Sequence, residues 1–124
     1  LIAARAAQAC GERGWRPAAT SLLLIGHGTP QHPGSAAATQ RHAAALDEEG
    51  SFADVRTAYL DEPSFLAEVA SSLDRSCVAV GLFVDDGPHG RDDVLAGLAS
   101  ARVPVAYTGA MGIDPAISGL IAAG

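Results

Sequence analysis

The sequence predicts one α/β domain built on a four-stranded parallel sheet with helices on both faces. Short aliphatic runs alternate four times with segments of helical periodicity, and the links between them are short. Two of these runs are apolar almost throughout, which is typical of parallel strands covered on both faces. Right-handed crossovers between successive strands then place helices on both sides of the sheet. A chain of 124 residues has room for one such domain.

The order of elements follows from periodicity and from the residues that end each segment. Ser35 can cap the N-terminus of the second predicted helix, and Gly50 can end that helix. Asp92 and Asp93 are expected at the N-terminus of the fourth predicted helix, where carboxylates interact favourably with the positive end of the helix dipole. The predicted strands are residues 21–25, 52–60, 77–84 and 103–107. The predicted helices are residues 1–13, 35–49, 64–73, about 92–99 and 115–122.

Composition and charge restrict the class of partner. The formal net charge is −6, which disfavours nucleic acid and an anionic membrane as the main partner. No apolar run approaches the roughly 20 residues that span a bilayer, and no basic and apolar leader is present, so we expect a cytoplasmic protein. Cys10 and Cys77 have neither CxxC spacing nor the density of a disulfide scaffold. We expect Cys77 to be a core residue, whereas Cys10 has no evident role.

Chemically versatile residues follow the predicted strands at their carboxyl ends. His27 follows the first strand between two glycines, which let the chain turn and leave the imidazole unshielded. Asp61 follows the second strand, and His89 lies in a glycine-rich loop after the third. Such loops share one edge of the sheet. Two imidazoles and a carboxylate there can hold a first-row metal or act as acid and base near neutral pH. The alternative is that they are solvated loop residues and helix caps.

Four stretches carry a resemblance to a known family. LLLIGHGT, AYLDEPS, VGLFVDDGPHGRDDV and TGAMGIDP resemble, in order, the signature blocks of the sirohydrochlorin chelatases, the CbiX-type cobalt and iron chelatases of tetrapyrrole biosynthesis. The resemblance covers roughly residues 20–122. It implies a three-layer chelatase-like fold, found in short chains that form homodimers and in long chains with two such halves. Residues 1–20 then resemble a helix and connector leading into a second half, residues 21–124, and the absence of an initiating methionine fits a piece of a longer protein.

The resemblance also implies roles for individual residues. His27 and His89 match the histidines that bind the metal and assist its insertion, and Asp61 stands where the family usually has a catalytic glutamate. Asp85 and Pro88 depart from the usual pattern beside His89. Neutral imidazoles bind Co²⁺, Fe²⁺ or Ni²⁺ and can accept the two N–H protons that the ring must lose. The implied activity is that of a lyase of cobalamin or siroheme biosynthesis, with the metal as substrate. No GxxxxGK[ST] loop is present, and no nucleotide is expected.

An acidic tetrapyrrole needs donors on a protein that is itself acidic. The available guanidinium groups belong to Arg41, Arg56 and Arg91, and Arg91 beside His89 is the preferred one. Backbone N–H groups at helix starts add donors, and Gly28 and Gly87 are expected to lie against the ring.

Two rival functions remain open from the sequence. A strand ending in a histidine–glycine pair resembles the opening of the histidine phosphatases, but Gly26 stands where that family has the arginine that holds phosphate. The stronger rival is a non-catalytic metal or tetrapyrrole carrier, such as the inactive half of a tandem chelatase. Either a second copy or a second half is the expected protein partner. The metal itself is not fixed by the sequence.

Overall fold

The fold contains a four-stranded parallel sheet with helices, as predicted. The computed structural model describes residues 2–26, 33–60, 63–82 and 87–110, with side chains for all of these except 33–36, 87–91 and 110. The predicted helix at 115–122 lies outside this part. The strands are β1 (Ser21–Gly26), β2 (Asp54–Tyr59), β3 (Cys77–Gly81) and β4 (Val105–Ala110), and they lie in the order β2-β1-β3-β4. The helices are α1 (Ile2–Arg13), α2 (Pro33–Glu49), α3 (Leu66–Ser71) and α4 (Gly87–Leu98), with a 3₁₀ turn at Pro17–Ala19.

β1 is the centre of the molecule and is buried along its whole length. Because successive side chains of a strand point to opposite faces, its apolar residues serve two cores. Leu23 and Ile25 pack with residues of α3 and α4, and Leu22 and Leu24 pack with residues of α1 and α2. The aliphatic run that predicted a doubly covered strand is confirmed.

α1 is a core helix on the same face as α2. Its buried residues Ile2, Ala6 and Cys10 lie at helical spacing and pack with the inner strands. The helix ends at Arg13, and the next residue, Gly14, has a φ of +74° that suits glycine. The N–H of Trp15 bonds the carbonyl of Cys10 at 2.8 Å. Packing explains Cys10, for which the sequence offered no role.

β4 begins later and runs further than predicted. Pro104 cannot donate a hydrogen bond to a ladder, and the regular strand starts only at Val105. Gly109, predicted in a loop, lies within the strand with φ +91°. The register there shifts, with an extra residue on β4 opposite β3, so the positive φ belongs to a β-bulge.

α4 begins earlier than predicted, and this corrects two expectations. The helix starts at Gly87, so His89 is its third residue and does not lie in a loop. Asp92 and Asp93 are its sixth and seventh residues and are exposed, so the prediction that they meet the helix start is wrong. Pro88 explains the early start, because its missing N–H costs nothing in the first turn of a helix.

Helices α2 and α3 also differ from the predicted bounds. α2 begins two residues earlier than the predicted cap and ends before Gly50, whose φ is +69°. α3 is only six residues long, because the backbone of Ser64 and Phe65 pairs with Tyr59 instead of joining the helix. Over the described part of the chain, no helix is long and apolar enough to cross a membrane.

Candidate functional site

The carboxyl ends of β1, β2 and β3 lie side by side. Ile25 is in register with Gly81 of β3, and Gly26 is in register with Tyr59 of β2. The chain leaves β1 toward β2 on one side, and β3 lies on the other, so the order of strands reverses at β1. Open α/β sheets bind their ligands in the crevice at such a point. The sheet order therefore brings together the strand ends after which the candidate site residues follow.

Backbone hydrogen bonds between neighbouring strands continue to these strand ends and hold them in register. The N–H of Leu82 bonds the carbonyl of Ile25 at 2.7 Å, and the N–H of Leu60 bonds the carbonyl of Gly26 at 3.2 Å. The segments that come next are 27–32 after β1, 61–62 after β2 and 83–86 after β3, and they lie outside the described residues.

The structure describes the backbone of three of the six predicted site residues, and the other three lie outside the described part of the chain. His27, Gly28 and Asp61 lie outside the described residues. Gly87, His89 and Arg91 are the first, third and fifth residues of α4, whose backbone is described without their side chains. The helix begins six residues after Gly81, the last residue of β3. These three residues therefore share the first turn and a half of one helix that follows the central strands.

Two of the three candidate arginines lie away from this edge. Arg56 is the third residue of β2, in register with Leu23, about 10 Å before the end of the strand. Arg41 is exposed on α2, about 12 Å along the helix from its first residue. Arg91 is about 6 Å along α4 from its first residue, half the corresponding distance for Arg41 on α2, and it stays the preferred candidate.

Gly26, the last residue of β1, lies in a space too small for a side chain. A Cβ added there would lie 2.6 Å from Oγ1 of Thr39 and 3.3 Å from Cδ1 and Cε1 of Tyr59. Thr39 is a buried residue of α2 and Tyr59 is buried at the end of β2. Close approach of these two side chains therefore requires the glycine.

Tyr59 is a residue that the sequence analysis missed. Its side chain is 3% exposed, and its hydroxyl is buried without a hydrogen-bond partner among the described residues. In the sequence it is one aromatic residue in a strand, and no local pattern separates it from a core residue. Only the packing at Gly26 reveals it.

The titratable groups near the cores do not provide an alternative site. Burial, followed by the nearby Asp54 carboxylate, raises the pKa of the Cys77 thiol to about 12, so this thiol stays protonated and is a poor nucleophile. Burial and the neighbouring Arg41 lower the pKa of His42 on α2. Among the side chains that are described, no group of three histidine, cysteine, aspartate or glutamate residues could hold a metal.

The sequence matches a known family over most of its length. The CbiX family matches residues 21–123. This chain belongs to the CbiX family. The match begins at β1 and runs through the segments that contain His27, Asp61 and His89. The resemblance read from the four sequence blocks is thereby confirmed.

Individual relatives give the same result. The chain is 36% identical over 74 residues to a probable sirohydrochlorin cobaltochelatase of Halobacterium salinarum. Among solved structures, it is similar to CbiX, the terminal enzyme of siroheme biosynthesis in denitrifying bacteria, with 29% identity and a TM-score of 0.78. It also resembles a multi-domain protein of Deinococcus radiodurans that has structural similarity to chelatases, with 31% identity and a TM-score of 0.76.

These relatives are longer than this chain. The Halobacterium alignment covers 59% of this chain and 25% of the relative. The two structural matches cover 97% and 98% of this chain, but only 52% and 27% of the other chains. The structural matches thus take in nearly the whole chain, whereas the family match begins only at β1.

Proposed function

We propose that this chain is a chelatase domain that inserts a divalent metal into sirohydrochlorin, with Co²⁺ as the first candidate and Fe²⁺ or Ni²⁺ as alternatives. Membership of the CbiX family over residues 21–123 is the observation that carries this proposal. One relative is named a probable cobaltochelatase, and another is described as an enzyme of siroheme biosynthesis. The reaction needs no nucleotide in this proposal.

His27 and His89 are the proposed metal-binding pair. The adjacency of β1 and β3 supports the pairing, because one histidine directly follows β1 and the other follows β3 near the start of α4. Neutral imidazoles bind the metal without cancelling its charge, and they can accept the two N–H protons that the ring loses. Asp61, which follows β2, supplies the carboxylate that attracts the metal or takes up a proton.

The carboxylates of the tetrapyrrole need local donors, because the chain carries a net charge of −6. In this proposal Arg91 supplies a guanidinium group, and the first turn of α4 supplies free N–H groups and the positive end of the helix. Gly28 and Gly87 leave the backbone accessible to the ring.

An anaerobic insertion assay tests the proposal. Sirohydrochlorin is mixed with Co²⁺, Fe²⁺ or Ni²⁺ and the purified chain, and the absorbance of the tetrapyrrole is followed. We expect the double variant His27→Ala, His89→Ala to lose insertion because both metal-binding imidazoles are gone, while its circular dichroism is unchanged.

His42→Ala is the matched control, since His42 lies on α2 beyond its first two turns. It should keep wild-type insertion. Full activity in the double variant would refute the assignment of the pair.

The chain covers only part of the length of its relatives, and this favours a second candidate function. Because it spans about half of the solved CbiX chain and a quarter of the Halobacterium protein, it can be a half that binds metal or tetrapyrrole without turnover. Stoichiometric Co²⁺ binding by calorimetry with no insertion would select this function. Recovery of insertion when a second chelatase half is added would show that the site is shared.

A further inference from the structure

An open groove of about 380 Å³ lies between α1 and β4, and we call it the α1–β4 groove. One face of α1 and residues 106–108 of β4 line it. Its volume falls within the range of about 300–1,000 Å³ that is typical of small-molecule sites. It contains none of the proposed metal-site residues, and its α1 wall lies outside residues 21–123, which the family match covers. The proposed function therefore leaves this groove unexplained.

A polar stripe of α1 forms one wall of the groove. Its residues recur every three or four positions, so they lie on the same side of the helix. They are Arg5, Gln8, Ala9, Glu12 and Arg13. The neighbouring stripe of α1 is buried in the core, and β4 is paired with β3. Both walls of the groove are thus fixed to the body of the domain.

The groove is locally positive on an acidic protein. Arg5 and Arg13 bring two guanidinium groups to it, against the single carboxylate of Glu12. All three residues are exposed, so a solute can reach them. The whole chain carries a net charge of −6, which disfavours anions elsewhere on the surface. The groove therefore favours an anion where the chain as a whole does not.

Trp15 restricts one of the two guanidinium groups. Cζ of Arg13 lies 5.6 Å from the centre of the Trp15 ring, close enough for a cation–π contact. Trp15 is itself tied to α1, because its backbone N–H bonds the carbonyl of Cys10. A guanidinium group that is already held in place loses less conformational entropy when a ligand binds.

Guanidinium groups bind carboxylates through paired hydrogen bonds. Arg5 and Arg13 are eight residues apart, about 12 Å along the helix, and this spacing suits a molecule with more than one carboxylate. We infer that the α1–β4 groove binds an organic polycarboxylate, with carboxylate groups on Arg5 and Arg13. The inference goes beyond the proposed function and does not rest on it.

Citrate and sirohydrochlorin are the two probes, since both are polycarboxylates and only the second is a tetrapyrrole. Citrate binding to the purified chain is followed by calorimetry and by the fluorescence of Trp15, the only tryptophan, whose ring contacts Arg13. We expect saturable binding at one site per chain. Displacement of citrate by sirohydrochlorin would identify the tetrapyrrole as the ligand. Citrate binding without displacement would assign the groove to a smaller acid.

Charge-changing variants test the residues of the groove. Arg5→Gln and Arg13→Gln should each weaken citrate binding about tenfold, because each removes a charged donor group. Glu12→Gln should tighten it about threefold, because the carboxylate that repels the ligand is gone. Arg75→Gln is the matched control: Arg75 is exposed between α3 and β3, and the same change of charge there should alter the affinity by less than about twofold.

The outcomes also separate this inference from the proposed function. If neither probe binds saturably at millimolar concentrations, or if Arg5→Gln and Arg13→Gln bind citrate as tightly as Arg75→Gln, the inference is overturned. Insertion of metal without any binding in the groove would overturn the inference alone. A wild-type chain that binds citrate in the groove but neither binds sirohydrochlorin nor inserts metal would refute the proposed function and leave the inference standing.

Discussion

The sequence correctly marks Gly26 as a position that needs glycine, but the physical reason inferred from the sequence is wrong. From the sequence, the glycines around His27 suggest a sharp turn that leaves the imidazole unshielded. Gly26 is instead a regular residue of β1, and it is not among the glycines with positive φ. Its side chain is excluded by Thr39 and Tyr59, which approach it from α2 and β2. The constraint at this position is therefore one of space and not of backbone conformation.

This explanation predicts opposite effects for two glycine-to-alanine variants. Gly26→Ala places a methyl group 2.6 Å from Oγ1 of Thr39, and we expect it to lower the free energy of unfolding by about 1–3 kcal/mol. Gly11→Ala, in α1 with no atom within 4 Å of the new Cβ, should raise that free energy by about 0.5–1 kcal/mol. Urea denaturation measures both. Equal effects from the two variants would contradict the packing argument.

Among the elements, α1 and α4 are the ones whose roles the structure adds to most. The sequence predicts α1 as a helix, and the structure adds that its residues Ile2, Ala6 and Cys10 pack into a core shared with β1 and β3. The division into residues 1–20 and 21–124 stays a prediction. α4 begins at Gly87 and so takes His89 and Arg91 into its first turns. A side chain on the first turns of a helix is held more rigidly than one in a free loop. A binding group is positioned more precisely on such a rigid support.

Because α1 is a core helix, a charge on its inner face should destabilise the domain. Ala6 is fully buried and Ala7 is exposed. We expect Ala6→Asp to lower the free energy of unfolding by about 3 kcal/mol or more, because it buries an unpaired charge. Ala7→Asp should change it by less than about 0.5 kcal/mol. Thermal and urea unfolding would distinguish the two, and a tolerated Ala6→Asp would mean that α1 does not contribute to the core.

At the scale of the whole molecule, the sheet order decides where chemistry can take place. Because β1 lies between β2 and β3, the residues that follow these three strands start from one edge of the sheet. The two cores on either side of the sheet hold that edge in place. An order of the same four strands in which β1 and β3 were not neighbours would separate the segments that contain His27 and His89 by at least one further strand.

The pH dependence of global stability should contain a contribution from His42. Its pKa in the folded chain lies below the ordinary value of 6.5 because of burial and Arg41. Between these two values the unfolded chain binds more protons than the folded chain, so stability rises with pH through this window and is lost as the pH falls. We expect His42→Gln to lose less free energy of unfolding than the wild type between pH 7.5 and pH 5. Parallel pH profiles for the two proteins would contradict this.

The sequence by itself determined the fold class, the approximate position of each described element, and the family. These properties depend on local features, namely aliphatic runs, helical periodicity, glycine and proline positions, and four short blocks in a fixed order. The histidine pair and Asp61 also come from the sequence, and their roles stay predictions.

Only the tertiary structure decided the sheet order, the place of α1 in the core, the reason for Gly26 and the burial of Tyr59 at the end of β2. Each of these depends on contacts between residues far apart in the chain. Tyr59 and Gly26, for example, are 33 residues apart and meet only when β2 pairs with β1. Whether a glycine is needed for its φ or for its missing Cβ depends on such neighbours, and no local pattern contains that information.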